Sequence, residues 1–416
     1  MSETTTENLS ERLIVKNFGP LKDVDIELKD IMVFIGPQAS GKSTLAKILY
    51  LINDHLKLSL GMVLDDIDID DIDIQENLKR FNINFSSEKT EIYYKIKDFV
   101  SCSIKNTKLT FDLSLKTINI FKQIREAIEK LENPSPQIFN NVKKFSFVPH
   151  SSNIKKSNIN KTSQPVSPID RFNMQEEAIL EHFAEESTYI PAERNTISSL
   201  SDSLMGVLAA GVSIPKFILD FGSKFEIARK NLITVYIDFL NITYEHSFGI
   251  GNRVFISPEQ SISLSEAASG LQSVIPLYLV TKHFAESNLL VIEEPELNLF
   301  PETQKKLVEF IIETCRDKTK RLIITTHSPY ILTTLNGLIQ AHNTARTKPE
   351  LKDKVAEIVP ENRWIDFDKI GVYHVADGTV KRIMDDEYRL IDANPIDDVS
   401  DKLGREFDEL LDLKYD

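Results

Sequence analysis

Apolar and polar positions alternate with period two over Val24–Leu28, the pattern of a half-exposed strand, and Arg12–Lys16 reads as a strand before it. Asn17-Phe18-Gly19-Pro20 reads as the turn between them. Ile31–Ile35 differs, with five apolar residues in succession, as in a strand buried on both faces. Leu45, Ile48, Leu49 and Ile52 then recur at helical spacing and predict an amphipathic helix ending near Leu58. Further on, Glu91–Leu115 alternates as strands. Ile118–Leu131 predicts a helix stopped by Asn133-Pro134-Ser135-Pro136, and Glu176–Glu186 a short one. Thr188–Arg194 reads as a strand ending in a charged turn, and residues 196–250 read as mostly helical. Two more apolar strands, Leu289–Ile292 and Arg321–Ile324, run into polar residues, and Ile370–Val375 with Thr379–Ile383 forms a last strand pair. Apolar strands separated by helical patterns place the chain in the α/β class.

Length allows two or three domains, or one large α/β domain with insertions, since the chain has 416 residues of which 41% are hydrophobic. A net charge of −14 argues against a protein that coats DNA uniformly, but leaves room for a local basic patch. One such patch exists: Pro134–Ile169 has no acidic residue and carries Lys143, Lys144, Lys155, Lys156 and Lys161. It reads as a mobile Ser/Asn/Lys-rich loop, with a nucleic-acid contact as the alternative. The run Leu64–Ile74 is acidic and reads as solvated charge or an edge strand. Cys102 and Cys315 point to neither a disulfide framework nor a zinc site. The polar N-terminus lacks a signal-peptide pattern. Leu204–Phe221, interrupted by Pro215, Lys216 and Asp220, reads as a broken helical pair rather than a membrane span. A cytoplasmic protein without a membrane partner is expected.

Candidate chemistry begins between the first buried strand and its helix. Gly36-Pro37-Gln38-Ala39-Ser40-Gly41-Lys42-Ser43 matches GxxxxGK[ST] in strand–loop–helix context, with Thr44 following. Glycines allow backbone N–H groups to curl round a phosphate, and the helix N-terminus adds positive potential. Lys42 can reach the β- and γ-phosphates, and the Ser43 hydroxyl can bind Mg²⁺. ATP and Mg²⁺ are therefore the expected ligands. Three motifs follow in order. Ser269, Gly270 and Gln272 stand before an apolar helix, as an anion-binding helix start would. Glu293 and Glu294 cap the second buried strand, where α/β sheets place their ligands. His327 caps the third.

In that order these motifs resemble ABC-type ATPases of the SMC/RecF/OLD group. The phrases EEPELNLFP and TTHSPYIL are similar to the OLD-like family in particular. The resemblance covers residues 12–58 and about 255–340. It implies Lys42 and Ser43 for phosphate and metal, Glu293 for metal, Glu294 as general base and His327 as a switch histidine. It also implies Ser269 and Gly270 acting on the partner subunit's nucleotide. Glu293 replaces the family's usual aspartate, Leu271 its second signature glycine, and Asn298 and Phe300 the histidines of its LHLHP pattern. The family's Q-loop glutamine is missing after Ile190, where Glu193 or Arg194 stands.

The expected architecture is an ABC-type P-loop ATPase head with an antiparallel β lobe, an inserted α+β segment and a helical subdomain. The head takes residues 1–58, 186–195 and 251–385, the insertion 59–185, the helical subdomain 196–250 and an acidic tail 386–416. No sustained heptads predict a coiled-coil arm, and the residues after His327 do not suffice for a Toprim nuclease domain. The resemblance implies a homodimer, or a higher oligomer, closed through ATP-bound heads. It further implies a sensor ATPase of a bacterial anti-phage system working with a separate effector such as a nuclease. DNA repair or chromosome maintenance of RecF or SMC type is the alternative, with nucleic acid left open as a partner. A transporter subunit would need a fuller signature and a membrane partner.

Overall fold

The computed structural model describes residues 11–64, 72–73, 90–96, 100–105, 108–113, 187–200, 211, 214–247, 251–316, 318–319, 321–392 and 394–415. The chain opens with β1 (Glu11–Phe18), β2 (Leu21–Leu28) and β3 (Ile31–Ile35), then α1 (Lys42–Leu64). Short strands β4 (Ile72–Asp73), β5 (Glu91–Ile96), β6 (Val100–Lys105) and β7 (Lys108–Leu113) follow. After β8 (Thr188–Ile190) come the helices α2 (Asn195–Leu200) and α3 (Lys216–Asn231). The strands β9 (Thr234–Ile237), β10 (Ile242–Ser247), β11 (Gly251–Ser257) and β12 (Gln260–Ser263) lead to α4 (Ser269–His283). The C-terminal half alternates β13 (Leu289–Glu293), α5 (Pro301–Cys315), β14 (Arg321–Thr326), α6 (Pro329–Thr347) and α7 (Lys352–Ile358). It ends with β15 (Ile370–Ala376), β16 (Thr379–Arg382), β17 (Met384–Asp385), β18 (Leu390–Ile391) and α8 (Asn394–Tyr415).

One mixed sheet runs β4-β7-β6-β5-β1-β2-β16-β15-β3-β14-β13-β8. Its core, β15-β3-β14-β13-β8, is parallel, and its other half is an antiparallel lobe joined through β1 and β2. The α/β class and the antiparallel lobe are as the sequence predicts. Both faces of the parallel part are covered, so Met32, Val33, Phe34, Leu290, Val291, Ile292, Ile323 and Ile324 are fully buried. Each such side chain contributes roughly 1.5–3 kcal/mol of burial free energy. β13 and β14 end side by side, with Glu293 opposite Thr325, and β14 ends beside Ile35 of β3. Three strand ends thus meet at one edge, next to the loop that follows β3.

Three expectations need correction. The first helix does not stop near Leu58 but continues to Leu64. The strands after it do not form a separate insertion, because β5 pairs with β1 and extends the same sheet. Residues 196–250 are helical only as far as Asn231. β9 and β10 then form an antiparallel sheet with β11 and β12, in the order β12-β11-β10-β9. The buried residues Val235, Ile237, Ile242 and Tyr244 have period two, and Asn241 takes the left-handed conformation (φ 53°) that reverses the chain between the strands. The acidic tail 386–416 contains β18 and the helix α8, with Phe407, Leu410 and Leu413 exposed on it. The predicted helices Ile118–Leu131 and Glu176–Glu186 and the Lys-rich segment lie outside the described residues, as does most of Leu204–Ser213. Among the described residues no helix is long and apolar enough to cross a membrane.

Candidate nucleotide site

The loop between β3 and α1 turns through three residues with positive φ: Gly36 (153°), Ala39 (58°) and Gly41 (106°). Two of these demand glycine. A Cβ on Gly36 would lie 2.1 Å from the Val375 carbonyl oxygen, and one on Gly41 would lie 2.5 Å from Leu21 Cδ2. The loop is thus wedged between the β1–β2 turn and the end of β15. Pro37, Gln38 and Ala39 form its exposed rim, Ser40 is buried, and Lys42, Ser43 and Thr44 open α1. Backbone of this shape at a helix N-terminus suits an anion. Lys42 is buried, and its Nζ donates to Gly36 O at 3.0 Å and Pro37 O at 2.7 Å. Burial lowers its pKa from the ordinary lysine value, and the charges of Glu294, Glu296 and Glu293 oppose that shift.

Opposite the lysine lie the ends of β13 and β14. Glu294 adopts φ 41°, a left-handed conformation in a residue with a bulky side chain. The strain is held from both sides: its N–H donates to Thr325 O at 2.9 Å, and its carbonyl accepts from Arg194 Nη2 at 2.8 Å. This turn swings its carboxylate to His327, with Oε1 3.0 Å from Nε2. The other ring nitrogen, Nδ1, lies 3.5 Å from Lys42 Nζ. Lys42, His327 and Glu294 therefore form a continuous polar chain across the ends of three strands.

Glu293 points elsewhere. It is 2% exposed; Oε2 accepts from Ala192 N at 3.4 Å, and buried Oε1 has no hydrogen-bond partner. A buried carboxylate oxygen in that condition fits a hard divalent cation or one of its waters, and so fits Mg²⁺. Ser43, at the start of α1, would supply the second oxygen. Among the described residues no group of three or more His, Cys, Asp or Glu side chains forms a metal cage.

Glu296 was not identified from the sequence, and Arg194 was named only as a stand-in for the Q-loop glutamine. Glu296 Oε1 accepts from Thr326 Oγ1 and from the His327 N–H, both at 2.7 Å, and so fixes the backbone of the histidine. Arg194, a candidate for the missing Q-loop position, is turned fully inward and cannot reach a nucleotide, while its neighbour Glu193 is exposed. Burial lowers the Arg194 pKa to about 10, with Glu296, Glu294 and Glu293 opposing the shift. It stays charged at neutral pH. Local spacing gave a signal only for Glu296, two residues beyond the acid pair.

The structure does not bring Ser269, Gly270 and Gln272 onto this chain's own loop by hydrogen bonds. Gln272 Nε2 donates to Ser265 O at 2.8 Å, and Gln272 Oε1 accepts from Ser199 Oγ at 2.9 Å. Ser269 and Gly270 open α4, where a Cβ on Gly270 would lie 2.8 Å from Asn298 O.

The chain matches the model of the AAA ATPase domain over residues 11–210 and 213–332, most of its length. It belongs to that family. As an AAA ATPase domain it is a P-loop protein, and the loop, acid pair and histidine all lie within the matched residues. Among solved structures, an Smc head bound to the C-winged-helix domain of ScpA is 10% identical, with a TM-score of 0.42 and coverage of 91% of this chain and 99% of that one. The SMC head domain from Thermotoga maritima is 11% identical, with a TM-score of 0.35 and coverage of 89% and 97%. An ATP-binding cassette of an ABC transporter in its ADP conformation is 14% identical, with a TM-score of 0.34 and coverage of 91% and 92%. No curated protein matches the chain.

Proposed function

We propose that this AAA ATPase domain binds ATP with Mg²⁺ and hydrolyses it to ADP and phosphate as an ABC-type homodimer in the cytoplasm. The observation that carries the reading is the Lys42–His327–Glu294 chain, which places a cation, a histidine and a carboxylate in contact beside the phosphate loop. Lys42 and the backbone of Gly36–Thr44 bind the phosphates. Ser43 and Glu293 would hold the metal, which would neutralise negative charge on the nucleotide's phosphates. Glu294 accepts the proton of the attacking water as the oxygen–phosphorus bond forms and the bond to the ADP oxygen breaks. His327 orients that carboxylate through Nε2 and monitors the γ-phosphate side through Nδ1. Glu294→Gln keeps the shape and removes the base, so kcat should fall by roughly 10²–10⁴-fold while ATP still binds. Wild-type turnover in that variant would remove Glu294 from the role.

Gln272, bonded to Ser199 and Ser265 rather than to the phosphate loop, supports an arrangement in trans: Ser269 and Gly270 of each subunit complete the partner's site, and two ATP molecules close the dimer. Size-exclusion chromatography of Glu294→Gln with ATP should show a dimer that reverts when nucleotide is removed. The OLD-like phrases around Glu294 and His327 support a sensor ATPase of an anti-phage system acting with a separately encoded effector. Co-purification from the native operon tests this; a chain that is active alone and retains no second protein would refute it.

A further inference from the structure

We propose that Arg194 is a positioning residue that locks the signature helix to the turn carrying the general base, so that the two move as one unit; this rests on the ATPase reading of the site. The guanidinium is completely buried and bonds to no carboxylate. It donates instead to five main-chain carbonyls: Pro191 at 3.1 Å, Glu293 at 2.8 Å, Glu294 at 2.8 Å, Pro295 at 3.4 Å and Ser273 at 3.0 Å. These belong to three segments: the end of β8, the acid turn after β13, and the first turns of α4. A planar fork with donors on three nitrogens can span them, whereas a single ammonium cannot.

Sequence prepares α4 for this contact. Pro276 has no N–H to give Gln272 O, the carbonyl one helical turn before it. Ser198 Oγ takes that carbonyl at 2.7 Å, and Arg194 Nε takes the next one, Ser273. The proline thus opens one side of the helix to α2 and to the arginine. In the first turn of the helix, Gly270 packs against Asn298 O, too close for any Cβ. The start of α4 and the turn 293–298 are therefore pinned at two points. One of them is the carbonyl of Glu294, the residue whose left-handed backbone aims the base at His327. A strained conformation persists only where its surroundings over-determine it, and Arg194 supplies half of that constraint. Engagement of Ser269 and Gly270 by a partner's nucleotide would thus be transmitted through Arg194 to the base on the same chain.

The test uses the full chain with Arg194→Lys and Arg194→Gln, measuring thermal unfolding, ATP affinity and kcat, each also in the Glu294→Gln background. Affinity should stay within about threefold, because no contact to the phosphate loop is removed, while kcat falls about tenfold for Lys and further for Gln. In the Glu294→Gln background neither change should slow turnover further, since both act through one carboxylate. The proposal is overturned if a folded Arg194→Lys keeps wild-type kcat, or if affinity falls in step with kcat. It is equally overturned if the two effects multiply, or if neither variant folds, which would make Arg194 a residue of the fold alone. A wild-type chain that does not hydrolyse ATP would instead refute the function proposed above.

Discussion

Two arginines mark opposite ends of the parallel sheet and are held in opposite ways. Arg321 begins β14, where it meets the Glu11 carboxylate at 2.5 Å, the Tyr94 hydroxyl at 3.5 Å and Lys29 O at 3.2 Å. Burial is the largest single effect on its pKa and pulls it down, but Glu11 and Tyr94 more than reverse this, and the net shift is upward. Arg194, at the other end, bonds only neutral carbonyls, and burial wins. The first arrangement is a closed ion pair that staples β1 and β5 to the core. The second leaves a cation under the influence of Glu293, Glu294 and Glu296, none of whose carboxylates it bonds. At one end of the strands the charges cancel each other. At the other they are kept apart, and that is the end where a nucleotide, a metal and a developing charge would have to be met.

The contrast can be broken from either side. The largest effect expected is on stability: Arg321→Met removes the cation paired with Glu11 and should cost about 2–3 kcal/mol, less than a fully buried pair because both side chains are partly exposed. Urea unfolding would measure it, and kcat/KM should be unchanged. A loss of activity without a loss of stability would contradict the assignment of that end to structure. At the site end the order reverses. Glu296→Gln keeps the packing but weakens the acceptor for Thr326 and His327, so kcat should drop roughly tenfold with little change in the melting temperature. A shift in melting temperature without an effect on turnover would make Glu296 an ordinary buried acceptor. The smallest effect is on pH dependence. Only the ammonium form of Lys42 pairs with phosphate, and its pKa in the folded chain is lowered. ATP affinity should be full below that depressed value and decline severalfold as pH rises through it, before an ordinary lysine would titrate. Calorimetric titrations across alkaline pH would show this, and an affinity flat to the normal lysine range would exclude it.

Much of the site was legible in the chain because its parts are local. GPQASGKS follows a buried strand and opens a helix, and glycine is required at its two tightest points. The acid pair and His327 each follow an apolar run that could only be a strand. The misreadings were of another kind. Residues 232–250 are as rich in apolar positions as a helix, and only the reversal at Asn241 shows that the period is two. The strands after Leu64 looked like an insertion because nothing in their pattern says that β5 will pair with β1.

The sequence by itself determined the class, the loop and the order in which a lysine, a carboxylate pair and a histidine arrive at strand ends, because periodicity and glycine requirements are set by neighbouring residues. Only the tertiary structure decided where each carboxylate points. Glu293 and Glu294 are adjacent and chemically alike, but one positive φ sends the second to His327 and leaves the first buried with a bare oxygen. Tertiary structure also turned Arg194 away from the nucleotide and onto five carbonyls from three segments. No local pattern encodes such a contact, because its partners are up to 101 residues apart in the chain and share nothing but main-chain oxygen.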